Sequence, residues 1–196
     1  MLIVPCFKLN TQIAAVDIFT LVCTLVVNGY NVTAEVCDYL RYALELTGLV
    51  DKCNIEVLPL QFEIDGKTYN HYPDGREYDF KKFYADMRAK KIARTSQITP
   101  STFIAKFEEL LKKTNNIMLI SFGSALSGTY NSACTAAGLV KENHPEANII
   151  VIDSLCASCG QGLLVYLACK NRDEGMSMEE NTKWIEDNKL HIAHWF

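Results

Sequence analysis

The sequence predicts an α/β fold, a mostly parallel sheet with helices on both faces, from three observations. Two short continuous apolar runs, NNIMLISFG (115–123) and NIIVIDS (148–154), have the composition of strands covered on both sides. Each is followed by a stretch with helical spacing, over 128–142 and 160–172. The turns between them are rich in small residues. Strand, helix, strand, helix in this rhythm suits a parallel sheet, because each crossover carries the chain back along a helix.

Taken in order, the elements begin with a helical segment over residues 1–50. The apolar stretch 13–27 is interrupted by Asp17, Thr20 and Thr24. It falls short of the ~20 residues of a bilayer span, which predicts a buried helix and no stable membrane insertion. Residues 34–46 place Val36, Tyr39, Leu40, Ala43 and Leu46 at helical spacing. Beyond residue 50 the pattern changes. NIEVLPLQFEI (54–64) reads as a strand, and Asp65-Gly66 is a hairpin turn leading into KTYNH.

Asp79 is the N-cap of a helix carrying Phe80, Phe83, Tyr84 and Met87 on one side. Thr99 caps the next helix, with Pro100 at its first position and Phe103, Phe107, Leu110 and Leu111 as its apolar stripe. The helix over 160–172 is expected to pack Leu163, Leu164, Tyr166 and Leu167. Ser177 with Glu180 forms a capping box for a last helix around Trp184 and Ile185.

Bulk properties narrow the function classes. A chain of 196 residues holds one domain, or one and a fraction. A net charge of -4 without a Lys/Arg face argues against a nucleic-acid partner. Eight cysteines in a chain of this size, with no cleavable signal peptide, predict a reduced, cytoplasmic protein rather than a disulfide scaffold.

The stretch SFGSALSGTYNSACTAAG (121–138) stands where a strand should become a helix. A helix N-terminus presents unpaired N–H groups and partial positive charge, glycines let the backbone come close, and hydroxyls add donors. The stretch therefore resembles an anion cradle. It is not a nucleotide-triphosphate loop, since Thr129 and Tyr130 stand where Lys and Ser/Thr are needed. It is not a GxSxG elbow either, because Ala125 stands two before Ser127. On this turn alone, Ser124 or Ser127 reads as a helix cap.

Other constellations carry less. Cys156 and Cys159 form a CxxC before a helix, the alternative reading being a thiol–disulfide oxidoreductase and the bland one two small side chains. His191 and His194 read as exposed helix histidines, so no metal site is expected. His71 with Asp74 makes no acid–base pair. Asp153-Ser154 either lines a pocket or caps the following helix, and capping is preferred.

In order, TSQITP (95–100), SALSGTYNSA (124–133) and VIDSLCASCGQGLL (151–164) resemble the DegV family, fatty-acid-binding proteins that serve as acyl carriers for bacterial fatty acid kinase. EVLPLQFEIDGKTY (56–69) is similar to the family's early strand and hairpin. The resemblance runs from about residue 50 onward. It implies that Thr95 and Ser127 hydrogen-bond the carboxylate of a long-chain fatty acid such as hexadecanoate, with Ser96 and Ser124 as lesser neighbours. It also implies an apolar tunnel for the tail, where each CH₂ contributes ~0.8 kcal/mol. No cofactor and no catalysis of its own are implied, and the acid would be presented to a separate fatty acid kinase catalytic subunit.

The family's opening strand with its aspartate-serine turn has no match in residues 1–50, and its second domain, with a glycine-glycine-arginine motif, is not matched. The expected organisation is a divergent helical segment (1–50), a DegV-like acid-binding domain (51–172) and the start of a truncated second domain (173–196). Apolar surface left open by that truncation is expected.

Overall fold

The computed structural model describes residues 20–27, 30–37, 50, 53–72 and 74–192. In chain order the elements are β1 (Thr20–Val27), β2 (Tyr30–Cys37), β3 (Ile55–Leu58), β4 (Leu60–Ile64), β5 (Lys67–His71), α1 (Phe80–Arg88), β6 (Ala93–Ser96) and α2 (Pro100–Leu111). They continue as β7 (Asn116–Ser121), α3 (Thr129–Asn143), β8 (Asn148–Asp153), α4 (Ser158–Asp173) and α5 (Met178–Asn188), ending in a 3-10 turn (Lys189–His191).

A five-stranded sheet runs in the order β3-β1-β2-β7-β8. β2, β7 and β8 are parallel, while β1 is antiparallel to both β2 and β3. The α/β expectation holds, and the sheet is mixed rather than mostly parallel.

The difference comes from residues 20–27 and 34–37, expected in helices and found in the paired strands β1 and β2. Thr20, Val22, Thr24, Val26 and Val27, then Val32, Thr33 and Val36, are β-branched. Such side chains are held to one or two χ1 rotamers in a helix and pack well on the pleated surface of a strand. Val27 pairs with Tyr30, so only Asn28-Gly29, a hairpin dipeptide, separates the two strands. The rest of the two expected helices, 13–19 and 38–46, lies outside the described residues.

β7 organises the core by simple alternation. Ile117 and Leu119 point to one face, against Phe103, Phe107 and Leu110 of α2 and Ala133, Ala136 and Val140 of α3. Met118 and Ile120 point to the other, against Leu164, Val165 and Ala168 of α4 and Met178 and Ile185 of α5. All four β7 side chains have no exposed surface, which is what a continuous apolar run buried between two helical layers requires. Cys53 and Cys169 lie in the second of these clusters as small buried side chains.

Helix ends follow the sequence signals. Thr99 Oγ1 accepts from the Thr102 N–H at 3.3 Å, with Pro100 at the first position. Asp79 Oδ1 accepts from the Lys82 N–H at 2.9 Å, and Ser177 and Glu180 form both bonds of a capping box. On α4 the buried stripe is Leu164, Val165, Ala168 and Cys169, while Tyr166, expected inside, is 43% exposed. Ala168 and Cys169 pack beside Leu164 and Val165 in the cluster around Met118 and Ile120. The amphipathic tyrosine stays at the water boundary.

A second sheet of three strands, β5-β4-β6, lies under α1, with Phe83 packed on Phe62 and Ile64. The stretch 54–64, expected as one strand, is split at Pro59. Proline has no N–H for a ladder, and the break sends β3 to the large sheet and β4 to the small one. Asp65 and Gly66 take φ of 52° and 71°, the left-handed pair of a tight hairpin.

Candidate functional site

The connections leaving β7 and β8 meet at the carboxyl end of the large sheet, the place where open α/β sheets take ligands. The Gly123 N–H donates to the Cys156 carbonyl at 2.9 Å, and the Ser124 N–H donates to Asp153 Oδ1 at 3.0 Å. A Cβ on Gly123 would stand 3.2 Å from the Cys156 carbonyl oxygen, so glycine allows this close approach. The Gly123 carbonyl in turn accepts from the N–H groups of Leu126 (2.9 Å) and Ser127 (3.3 Å), winding 123–127 into a tight turn.

Ser127 stands two residues before α3. Its Oγ accepts from the Thr129 N–H at 3.2 Å and hydrogen-bonds Thr129 Oγ1 at 2.9 Å. Ser127 therefore satisfies an N–H of the first helical turn, as the capping expectation has it, although Gly128 occupies the formal cap position. Ser124 takes part through its backbone rather than as a cap.

Thr95 lies in β6 directly across from Phe62, and opposed residues share a sheet face. Arg94 and Ser96 pair with Glu63 and Gln61, which places both on the opposite face. Thr95 is exposed, and its hydroxyl has no hydrogen-bond partner among the described residues. The two hydroxyl motifs are brought together by a residue that the sequence reasoning passed over. The Gln97 side chain lies over Gly128, where a Cβ would stand 2.3 Å from Gln97 Oε1 and 3.1 Å from its Cδ. A side chain at 128 would force that amide to move aside, and the Gly after Leu-Ser was the signal available in the sequence.

Asp153 and Ser154 do not cap α4, whose cap position is Ala157. Asp153 Oδ1 accepts from the N–H groups of Ser124 and Leu155, both at 3.0 Å. Ser154, fully buried, accepts from the Cys156 N–H at 3.1 Å and donates to the Cys156 carbonyl at 3.2 Å. These local bonds hold Leu155 at φ 53°, in the left-handed region that disfavours a side chain. Leu155→Gly should therefore raise the stability by about 1 kcal/mol, read as a higher denaturation midpoint.

The Cys156 thiol is 2% exposed, and burial, with the Asp153 charge adding, pushes it up to about 11. A redox nucleophile needs the reverse shift. The side chain of Cys159 lies outside the described residues. Alkylation of Cys156 at pH 8 should run roughly two orders of magnitude slower than that of an exposed thiol, followed by mass spectrometry of the peptide. His71 packs edge-on against Phe62 and Phe80, while Asp74 pairs with Arg76 at 2.8 Å. His191 is exposed and His194 lies outside the described residues. Among the described residues no helix is long and apolar enough to cross a membrane.

Comparison with known proteins gives a consistent result. A family model described as an uncharacterised protein of the DegV family matches residues 46–196. A DegV domain-containing protein of Clostridium perfringens is 38% identical over 148 residues, covering 76% of this chain and 50% of that protein. One from Clostridium acetobutylicum is 36% identical over 162 residues, covering 82% and 53%. Among solved structures, DegV of Bacillus subtilis, a fatty acid binding protein, is similar with a TM-score of 0.63 and 28% identity, over 74% of this chain and 49% of that one. The Streptococcus pneumoniae fatty acid kinase B3 protein, solved loaded with linoleic acid, is similar with a TM-score of 0.59 and 28% identity, over 67% and 45%. The chain thus spans about half the length of the relatives it matches, 50% and 53% of the two clostridial proteins.

Proposed function

Because this chain belongs to the DegV family, we propose that it holds a long-chain fatty acid by its carboxylate, as a non-catalytic acyl carrier for a fatty acid kinase. The observation that carries the reading is the seating of Gln97 over Gly128, which joins the TSQ strand end to the LSG turn. In this reading Thr95 and Ser127 are the head-group ligands. Thr95 has a hydroxyl with no partner among the described residues. Ser127 Oγ accepts from the Thr129 N–H and shares a hydrogen bond with Thr129 Oγ1 in which either hydroxyl can donate, so a bound carboxylate can take the Ser127 proton when Thr129 is the donor of that pair.

Neither 95–100 nor 121–130 contains a lysine or arginine. The acid would be met by hydroxyls and by the dipole of α3 rather than by a side-chain cation. Affinity would come from the tail, on the order of 12 kcal/mol gross for a long chain, and orientation from the hydroxyls. In this reading residues 51–172 form the acid-binding domain together with β1 and β2, which complete its sheet, and α5 docks on the same core through Met178 and Ile185. The setting is the cytoplasm, and the partner is the kinase's catalytic subunit. Native mass spectrometry of the 196-residue chain incubated with hexadecanoate should show one acid per chain. A chain that stays empty overturns the proposal.

A further inference from the structure

We infer that Asp153 is a positioning residue for the head-group site, an inference that rests on the acid-binding reading above. Asp153 is the last residue of β8, in register with Ser121 at the end of β7, so its carboxylate grows from a rigid edge. One oxygen, Oδ1, accepts from the Ser124 N–H of the β7–α3 turn and from the Leu155 N–H of its own loop, each at 3.0 Å. Its backbone carbonyl is held from a third direction by Lys189 Nζ at 3.0 Å, and Lys189 is itself paired with Glu186 at 2.6 Å.

The consequence passes to Ser127 through backbone. With the Ser124 N–H bound to Asp153 and the Gly123 N–H to Cys156, the Gly123 carbonyl has a set position, and it accepts the N–H of Ser127. Ser127 is therefore one backbone hydrogen bond away from a residue clamped twice to the β8–α4 loop. Asp153 also occupies two amide N–H groups at this corner with the protein's own negative charge. Those amides are not offered to a ligand. Discrimination in favour of an acid group then depends on where Ser127 stands beside Thr95, and it is the Ser127 side that Asp153 sets.

The test compares Asp153→Ala and Asp153→Asn with the parent chain, each incubated with hexadecanoate or with hexadecanol and analysed by lipid extraction after gel filtration. Asparagine keeps an oxygen that accepts both N–H groups and removes the charge. Asp153→Ala should lose about tenfold in hexadecanoate retention, the effect of one misplaced head-group hydrogen bond, with hexadecanol changed less than about twofold. Asp153→Asn should stay within about threefold of the parent for both lipids. The assignment is overturned by parental acid retention in Asp153→Ala, by equal loss of acid and alcohol, or by an Asn variant as poor as the Ala one. A parent chain with no preference for the acid overturns the acid-binding reading and this assignment with it. A preference that survives in Asp153→Ala overturns the assignment alone.

Discussion

Replacing Thr95 and Ser127 together by alanine should lower hexadecanoate retention about a hundredfold, with each single change giving about tenfold. The size follows from hydrogen bonds to a charged acceptor, about 1.5 kcal/mol or more each, lost into a site that no lysine or arginine of the two motifs can rescue. The two variants differ in what else they remove. Thr95 is exposed and bonds nothing described, so its loss should leave stability unchanged within about 0.5 kcal/mol. Ser127 also satisfies the Thr129 N–H, so its loss should cost about 1 kcal/mol of stability as well. Retention by quantitative mass spectrometry, beside a thermal melt of each variant, separates the two effects. Parental retention in the double variant would remove the head-group assignment.

Phe103→Ala should be the most damaging single change to the fold, by about 3–5 kcal/mol. Phe103 is 1% exposed and stacks on Phe107 with ring centroids 5.9 Å apart, filling the space between α2 and the Ile117/Leu119 face of β7. Its removal opens a cavity among side chains that are themselves fully buried, so little can relax into it. Since a domain of this size holds about 5–15 kcal/mol in all, such a loss should show as a large fall in the urea midpoint. A loss below about 1 kcal/mol would mean that α2 is not seated as described.

Local chemistry was the readable part of this fold. Thr99-Pro100, Asp79 and Ser177 with Glu180 act as caps because the interaction that makes a cap lies within three residues, and Asp65-Gly66 turns the chain for the same reason. The strands β7 and β8 were legible because burial on both faces leaves an unbroken apolar run. The N-terminal strands were not, since the spacing of Val36 and its neighbours fits a helix, and only the β-branched content and Asn28-Gly29 argue otherwise. Pro59 hid a change of sheet inside what reads as one strand.

At the site, Thr95 and Ser127 were named from a family likeness, and helix-start chemistry supported Ser127. The devices that hold them, Gln97 over Gly128 and Asp153 under Ser124, join residues 31 and 29 positions apart and have no local signature. A carboxylate at a strand end reads as a cap until the loop facing it is known.

The acid grip by two hydroxyls is tested most directly by a crystal structure of the 196-residue chain with hexadecanoate bound. The account predicts a carboxylate with oxygens about 3 Å from both Thr95 Oγ1 and Ser127 Oγ. A carboxylate seated away from both, with the tail still buried, would contradict it.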